Sequence, residues 1–196
     1  ITKDFGGVET SHLDELDKKY VPVISEDGRD VLASSVMLDG MTKAGRKGII
    51  VACHSEDTTL GKEAVPYRQE ALEIMKDVGL SAWGTSEEED DEDDDEISEA
   101  IQKIDQLFSR ANEYLALAED LATVRNIMLA KEAGCHVHIC HVSTAKSVNA
   151  VREAKNELYD DEADYYANEA DAAYQAFEEK TPFVPGPRVT GGFGVS

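Results

Sequence analysis

The stretch Gly134-Cys135-His136-Val137-His138-Ile139-Cys140-His141-Val142-Ser143-Thr144 constrains this chain more than any other. Its β-branched and small apolar residues read as a short buried strand, with Gly134 stopping a helix before it and Ser143 or Thr144 able to cap a helix after it. Side chains alternate along a strand, so His136 and His138 share a face with Cys140, while His141 falls with Val137 and Ile139 at the C-terminal end. In parallel α/β proteins the C-terminal ends of strands carry the chemistry, which singles out His141. His136 and His138 read as ordinary strand residues facing neighbouring helices.

Two earlier apolar runs have the same form. Residues 20–25 read as a strand left through the turn Glu26-Asp27-Gly28, and residues 48–53 as a strand that ends directly on His54. The second run is continuously apolar, as expected where helices cover both faces of a sheet. Three strands therefore end on Asp27, His54 and His141, each a side chain able to ligate a metal ion. Between them the spacing predicts a helix from Ser34 to about Ala44, with Val36, Met37 and Met41 inward and Gly45 and Gly48 at its end, and a second from Pro66 to Gly79 with Leu72, Met75 and Val78 inward. Further helices are expected over 97–108, through Ile97, Ile101, Ile104 and Phe108, and over 112–133, with Leu117, Leu121, Val124 and Met128 as the core stripe. Another runs from Thr144 to about Asn156. Strand and helix alternate as in a parallel sheet with right-handed crossovers.

Composition narrows the partners. The net charge of −22 opposes nucleic acid and anionic membranes, because a phosphate binder needs clustered Lys and Arg. Ten of the acids occupy residues 87–96 without one base, leaving −12 for the rest. That run has no apolar residue and reads as solvated; it lacks the central Gly and alternating Asp of an EF-hand loop, which argues against calcium. Cys53, Cys135 and Cys140 sit within or at the end of apolar runs and read as reduced thiols of a reducing compartment. No stretch of about 18 apolar residues exists, and the first twenty residues carry no signal-like apolar region, so the expected location is cytoplasmic. Residues 157–179 are rich in Ala, Asp, Glu and Tyr, and 181–196, with three Pro and four Gly, read as an irregular tail.

Three motifs together resemble the dihydroorotases. His54-Ser55-Glu56-Asp57 after an apolar strand resembles their His-Cys-Glu-Asp signature, Ser25-Glu26-Asp27-Gly28 their Ser-Asp-Asp-Gly turn, and residues 134–144 closely resemble a later strand of the same enzymes. Ala118-Glu119 with Arg125 lies in a helix that is also similar. The resemblance covers roughly residues 20–80 and 110–155.

It implies an α/β fold: part of a (β/α)8 TIM barrel of the metal-dependent amidohydrolase type, interrupted by an acidic helical insertion. The expected division is barrel βα units over 1–85, the insertion over 86–109, a further βα unit over 110–156, and an unassigned acidic helix and tail over 157–196. The implied activity is zinc-dependent interconversion of N-carbamoyl-aspartate and dihydroorotate in pyrimidine synthesis. Asp27 corresponds to the metal-bridging carboxylate, and His54 and His141 to ligands of the second zinc of a binuclear centre.

The chain departs from that pattern. The family's His-x-His pair belongs to an earlier strand, its general-base Asp follows the last strand, and neither has a counterpart here. The substrate-binding Arg and Asn segments are also absent. The chain does not begin with Met, which fits a processed product, a trimmed chain or a fragment; with the departures above, the expectation is a central fragment or a heavily altered homologue, with a small-molecule substrate and a homo-oligomeric or protein partner. The alternative is a non-catalytic amidohydrolase-like partner or structural protein, since an open sheet leaves edges and apolar surface to cover.

Overall fold

The computed structural model describes residues 1–79, 94–157 and 194–195. Strands β1 (Val23–Ser25), β2 (Ile50–Cys53), β3 (His136–Ile139) and β4 (Gly194–Val195) form one parallel sheet in that order. Ile24 pairs with Val51, Val51 with Val137 and Val137 with Val195, so one apolar row crosses all four strands. Gly194–Val195 thus departs from the irregular tail expected there, because the exposed edge of β3 offers backbone groups to pair. The expected helix over 157–179 and most of the acidic run lie outside the described residues.

The helices are α1 (Ser34–Lys47), α2 (Thr58–Glu63), α3 (Val65–Asp77), α4 (Asp94–Ala133) and α5 (residues 145–157). Val51, Cys53, Val137 and Ile139 project into one core with Met37, Met41 and Ala44 of α1, Ile127 and Ala130 of α4 and Ala154 of α5. The opposite sheet face is less covered: Ile50, Ala52 and His136 are half-buried and His138 is exposed. The expectation of two covered faces therefore holds on one side only, and the alternation of burial in β2 and β3 records it.

Local chemistry explains the boundaries. Gly48 ends α1 in the left-handed region, where a side chain would be strained. Gly134, with φ of 60°, closes α4: its N–H reaches the Lys131 carbonyl and the Cys135 N–H reaches that of Ala130. This pair of bonds uses carbonyls the helix would leave orphaned and turns the chain straight into β3. Thr144 starts α5 by accepting the Ser147 N–H on its hydroxyl.

The two helices expected over 97–108 and 112–133 are one continuous α4 of 40 residues. Its first half packs on α3 through Ile104, Leu107 and Ala71, with Tyr67 stacked on Tyr114. The core faces also differ from expectation. Leu117, Leu121, Val124 and Met128 are 42–65% exposed, and Leu72 of α3 is exposed as well. The buried face of α4 is Ala111, Ala118, Ala122, Thr123, Asn126 and Ala130. Together with Ile104, Leu107 and Ile127, which are also buried, these small residues let the helix approach its neighbours closely, and the Leu117, Leu121, Val124 and Met128 stripe falls on the outer side.

Gly45 marks the tightest approach. A Cβ there would meet the Gly134 carbonyl oxygen at 3.0 Å and that of Ala133 at 3.1 Å, both backbone atoms at the α4–β3 junction. Gly45→Ala is expected to lower stability by about 1 kcal/mol, the overpacking cost of about 1–3 kcal/mol exceeding the gain of up to about 1 kcal/mol in helix propensity. Chemical denaturation checks it, and a variant more stable than the parent would show that the junction yields.

Candidate functional site

Because β1, β2 and β3 are adjacent and parallel, the residues following them emerge at one edge of the sheet. The last bond between β2 and β3 runs from the Cys140 N–H to the Cys53 carbonyl, at 3.0 Å. His54 and His141 are the next residues on each side. Their rings meet: His54 Nδ1 lies 2.8 Å from His141 Nε2, with centroids 5.0 Å apart and planes tilted by 46°. His141 reaches this position with φ of 39°, a left-handed backbone conformation uncommon outside glycine.

Asp27 also stands where the sequence places it, past the end of β1. It too is left-handed, with φ of 57°, and its N–H is received by the Ser25 hydroxyl at 3.0 Å. Its side chain is exposed, whereas the neighbouring Glu26 is buried and accepts the Thr2 N–H at 2.7 Å. Among the described residues no group of three or more His, Cys, Asp or Glu is arranged to hold a metal ion. The structure thus brings together two of the three expected ligands, and Asp27 does not complete a set with them.

The paired imidazoles suit a divalent cation by donor type. In their mutual hydrogen bond one ring donates and the other accepts, so joint ligation requires one ring to move its proton to its other nitrogen. The two nitrogens, in hydrogen-bond contact at 2.8 Å, would also have to draw apart to share a cation.

Helix α4 supports the loops that carry both histidines. Its Ala118 carbonyl accepts the Asp57 N–H at 3.1 Å, and Asp57 in turn caps α2 by accepting from Thr59 and Leu60. Glu119 accepts the Ser143 and Thr144 N–H groups, each at 2.9 Å, and the Ser143 hydroxyl. Burial pushes the Glu119 carboxyl up, but these bonds to its charged form outweigh burial and hold it below the usual range. Asp120 accepts the Thr144 hydroxyl at 2.5 Å and that of Ser147 at 3.1 Å. Beside the pair opens a cleft of about 430 Å³ whose lining includes Glu56, Asn112, Glu119, His141, Ser143 and Thr144.

Beneath it lies a polar network that the sequence did not announce. Asp30, fully buried in its side chain, is 3.0 Å from the Arg125 guanidinium and accepts the Asn126 amide at 2.7 Å. The same amide donates to the Ser55 hydroxyl at 3.1 Å, and Arg125 reaches the Leu32 carbonyl at 3.2 Å. Burial pushes the Asp30 carboxyl up to about 6, with Arg125 and Asn126 opposing it. Arg125 drew notice only as part of a similar helix; Asp30 and Asn126 gave no signal, since polar residues in a loop and on a helix usually face water.

Cys53, Cys135 and Cys140 are free thiols. Burial raises all three, Cys135 to about 12, which keeps them protonated and unreactive. Burial also lowers His136, helped by His138, Lys155 and Lys18. No described helix is long and apolar enough to cross a membrane.

No protein-family model matches the chain. Curated relatives do. A dihydroorotase of Pelotomaculum thermopropionicum is 27% identical over 155 residues, covering 79% of this chain and 28% of that protein. One from Clostridium botulinum is 26% identical over 158 residues, 80% of this chain and 27% of that protein. One from Trichlorobacter lovleyi is 30% identical over 155 residues, 79% and 28%. The likeness to dihydroorotases therefore extends over about four fifths of the chain, and the chain spans under a third of the relatives' length.

Proposed function

We propose that this chain carries part of the metal centre of a dihydroorotase-like cyclic amidohydrolase, on a segment of a (β/α)8 barrel. The observation that carries the reading is the His54–His141 contact at the ends of adjacent parallel strands, in a chain similar to dihydroorotases over 79% of its length. Helices meeting one covered sheet face support the barrel assignment.

His54 and His141 would hold a zinc ion, and Asp27, the carboxylate that the resemblance assigns to the same centre, would have to turn its exposed side chain from its present position to join them. When bound, zinc would lower the pKa of a coordinated water to about 7 and polarise an amide carbonyl. The substrate proposed is N-carbamoyl-aspartate or dihydroorotate, interconverted in pyrimidine synthesis. This chain's own part is to present two imidazoles at fixed separation beside an open cleft. The cleft is lined by two carboxylates, three hydroxyls, the Asn112 amide, the His141 imidazole and apolar groups, with no Lys or Arg among the described lining residues, so an anionic substrate would draw its cationic anchors from outside that set.

Zinc titration of the metal-free chain, read by calorimetry and bound-metal analysis, tests the assignment. The unaltered chain should take up zinc and the His54→Ala/His141→Ala variant should lose that uptake; equal stoichiometry in both would remove the reading. Asp27→Ala should weaken affinity by 10-fold or more if the carboxylate is a ligand.

The exposed stripe Leu117, Leu121, Val124 and Met128 favours a second reading, a non-catalytic barrel-like chain that works by association. Sedimentation at several concentrations tests it, and a concentration-independent monomer counts against self-association.

A further inference from the structure

Strand pairing cannot by itself hold the two imidazoles together. The β2–β3 ladder ends at Cys53 and Cys140, and both histidines lie beyond it. His141 moreover occupies a left-handed conformation that is unfavourable for a non-glycine residue and persists where surrounding contacts impose it.

Those contacts come from one face of α4. Glu119 and Asn126 are seven residues apart, two turns or about 10.5 Å along the axis, with buried Ala122 and Thr123 between them. Asn126 donates to Ser55, the residue after His54. Glu119 gathers the N–H groups of Ser143 and Thr144, two and three residues after His141. Each loop is therefore gripped just past its histidine, by side chains whose spacing is set by a rigid helix.

We infer that the Glu119–Asn126 face of α4 is a positioning device that sets the separation of the His54 and His141 rings, with Glu119 imposing the backbone conformation of His141. No hydrogen bond among the described residues joins either one to the rings, and both act through the serines that follow the histidines. The inference deepens the proposed metal centre, but it concerns the metal-free chain, so it stands or falls separately from the zinc titration.

The test is nitrogen NMR of the full, metal-free chain labelled at histidine, reading the coupling through the hydrogen bond between His54 Nδ1 and His141 Nε2. The unaltered chain should show it. Glu119→Ala should lose it with far-ultraviolet circular dichroism unchanged, while Glu119→Gln, whose carbonyl still accepts the two N–H groups, should restore it. Asp120→Ala removes the support at Thr144 and Ser147 but leaves Glu119 in place, and should retain the coupling. Should Glu119→Ala not fold, Glu119→Asp, one methylene shorter, replaces it in the same comparison. A coupling that survives in folded Glu119→Ala, that is lost equally in Asp120→Ala, or that is missing from the unaltered chain overturns the inference.

Discussion

Replacing Arg125 with Ala should destabilise the chain by about 3–5 kcal/mol at neutral pH, the cost of leaving a buried carboxylate without its cation. The Asp30 side chain has no exposed surface, and the Arg125 guanidinium at 3.0 Å is the cation that offsets its charge. Arg125 also supports the Leu32 carbonyl and the Asn126 side chain, so its loss loosens the loop after β1 and the helix together. A domain stability of about 5–15 kcal/mol leaves little margin for such a loss. Urea denaturation of Arg125→Ala beside Arg125→Lys decides the point. Lys keeps a charge but not the fork of donors, and should recover only part of the stability. A loss below about 1 kcal/mol in Arg125→Ala would mean that the pair is held in water rather than in a dry interior.

The second large effect is a pH dependence of opposite sense to an ordinary paired carboxylate. Burial raises Asp30 to about 6 in the folded chain, against about 3.9 when unfolded. Between those values the folded chain keeps a proton that the unfolded chain releases, so stability falls as pH rises through the window. Each pH unit of difference is worth about 1.4 kcal/mol, which makes the full contribution about 3 kcal/mol, present below about pH 4 and gone above about pH 6. The measurement is stability against pH for the parent minus that of Asp30→Asn, which subtracts every other titrating group. The difference curve should decline from pH 4 to 6.5, and a flat or rising one would place Asp30 at an ordinary or lowered value. The two predictions are linked. Without Arg125 the carboxyl rises further, so Arg125→Ala should suffer less at pH 5 than at pH 7.5.

Much of the frame was legible in the chain. The apolar runs ending at Ser25, Cys53 and Ile139 mark β1, β2 and β3, and Pro66, Gly48 and Gly134 mark helix boundaries through backbone geometry that few other residues satisfy. His54 and His141 stood out because both directly follow buried strands, and the structure brings their rings into contact. Asp27 stood out for the same reason, yet it does not complete a metal-holding group with them. A strand end specifies the edge on which a residue emerges, not the direction of a side chain carried on a left-handed turn. The helix faces were misread for a different cause. Leu117, Leu121, Val124 and Met128 have the period of a core stripe, but Ala118, Ala122 and Ala130 have a similar one, and hydropathy favours the larger set.

By itself, then, the sequence determined the order of elements, their punctuation and the edge where the histidines emerge, because these follow from dihedral preference and from the periodicity of local apolar runs. Only the tertiary structure decided which face of α4 is buried, that Asp30, Arg125, Asn126 and Ser55 form one network, and that Glu119 reaches the loop after His141. Those contacts join residues 24 to 96 positions apart. They depend on how closely helices and sheet approach, a matter of summed volume and shape that no local pattern encodes.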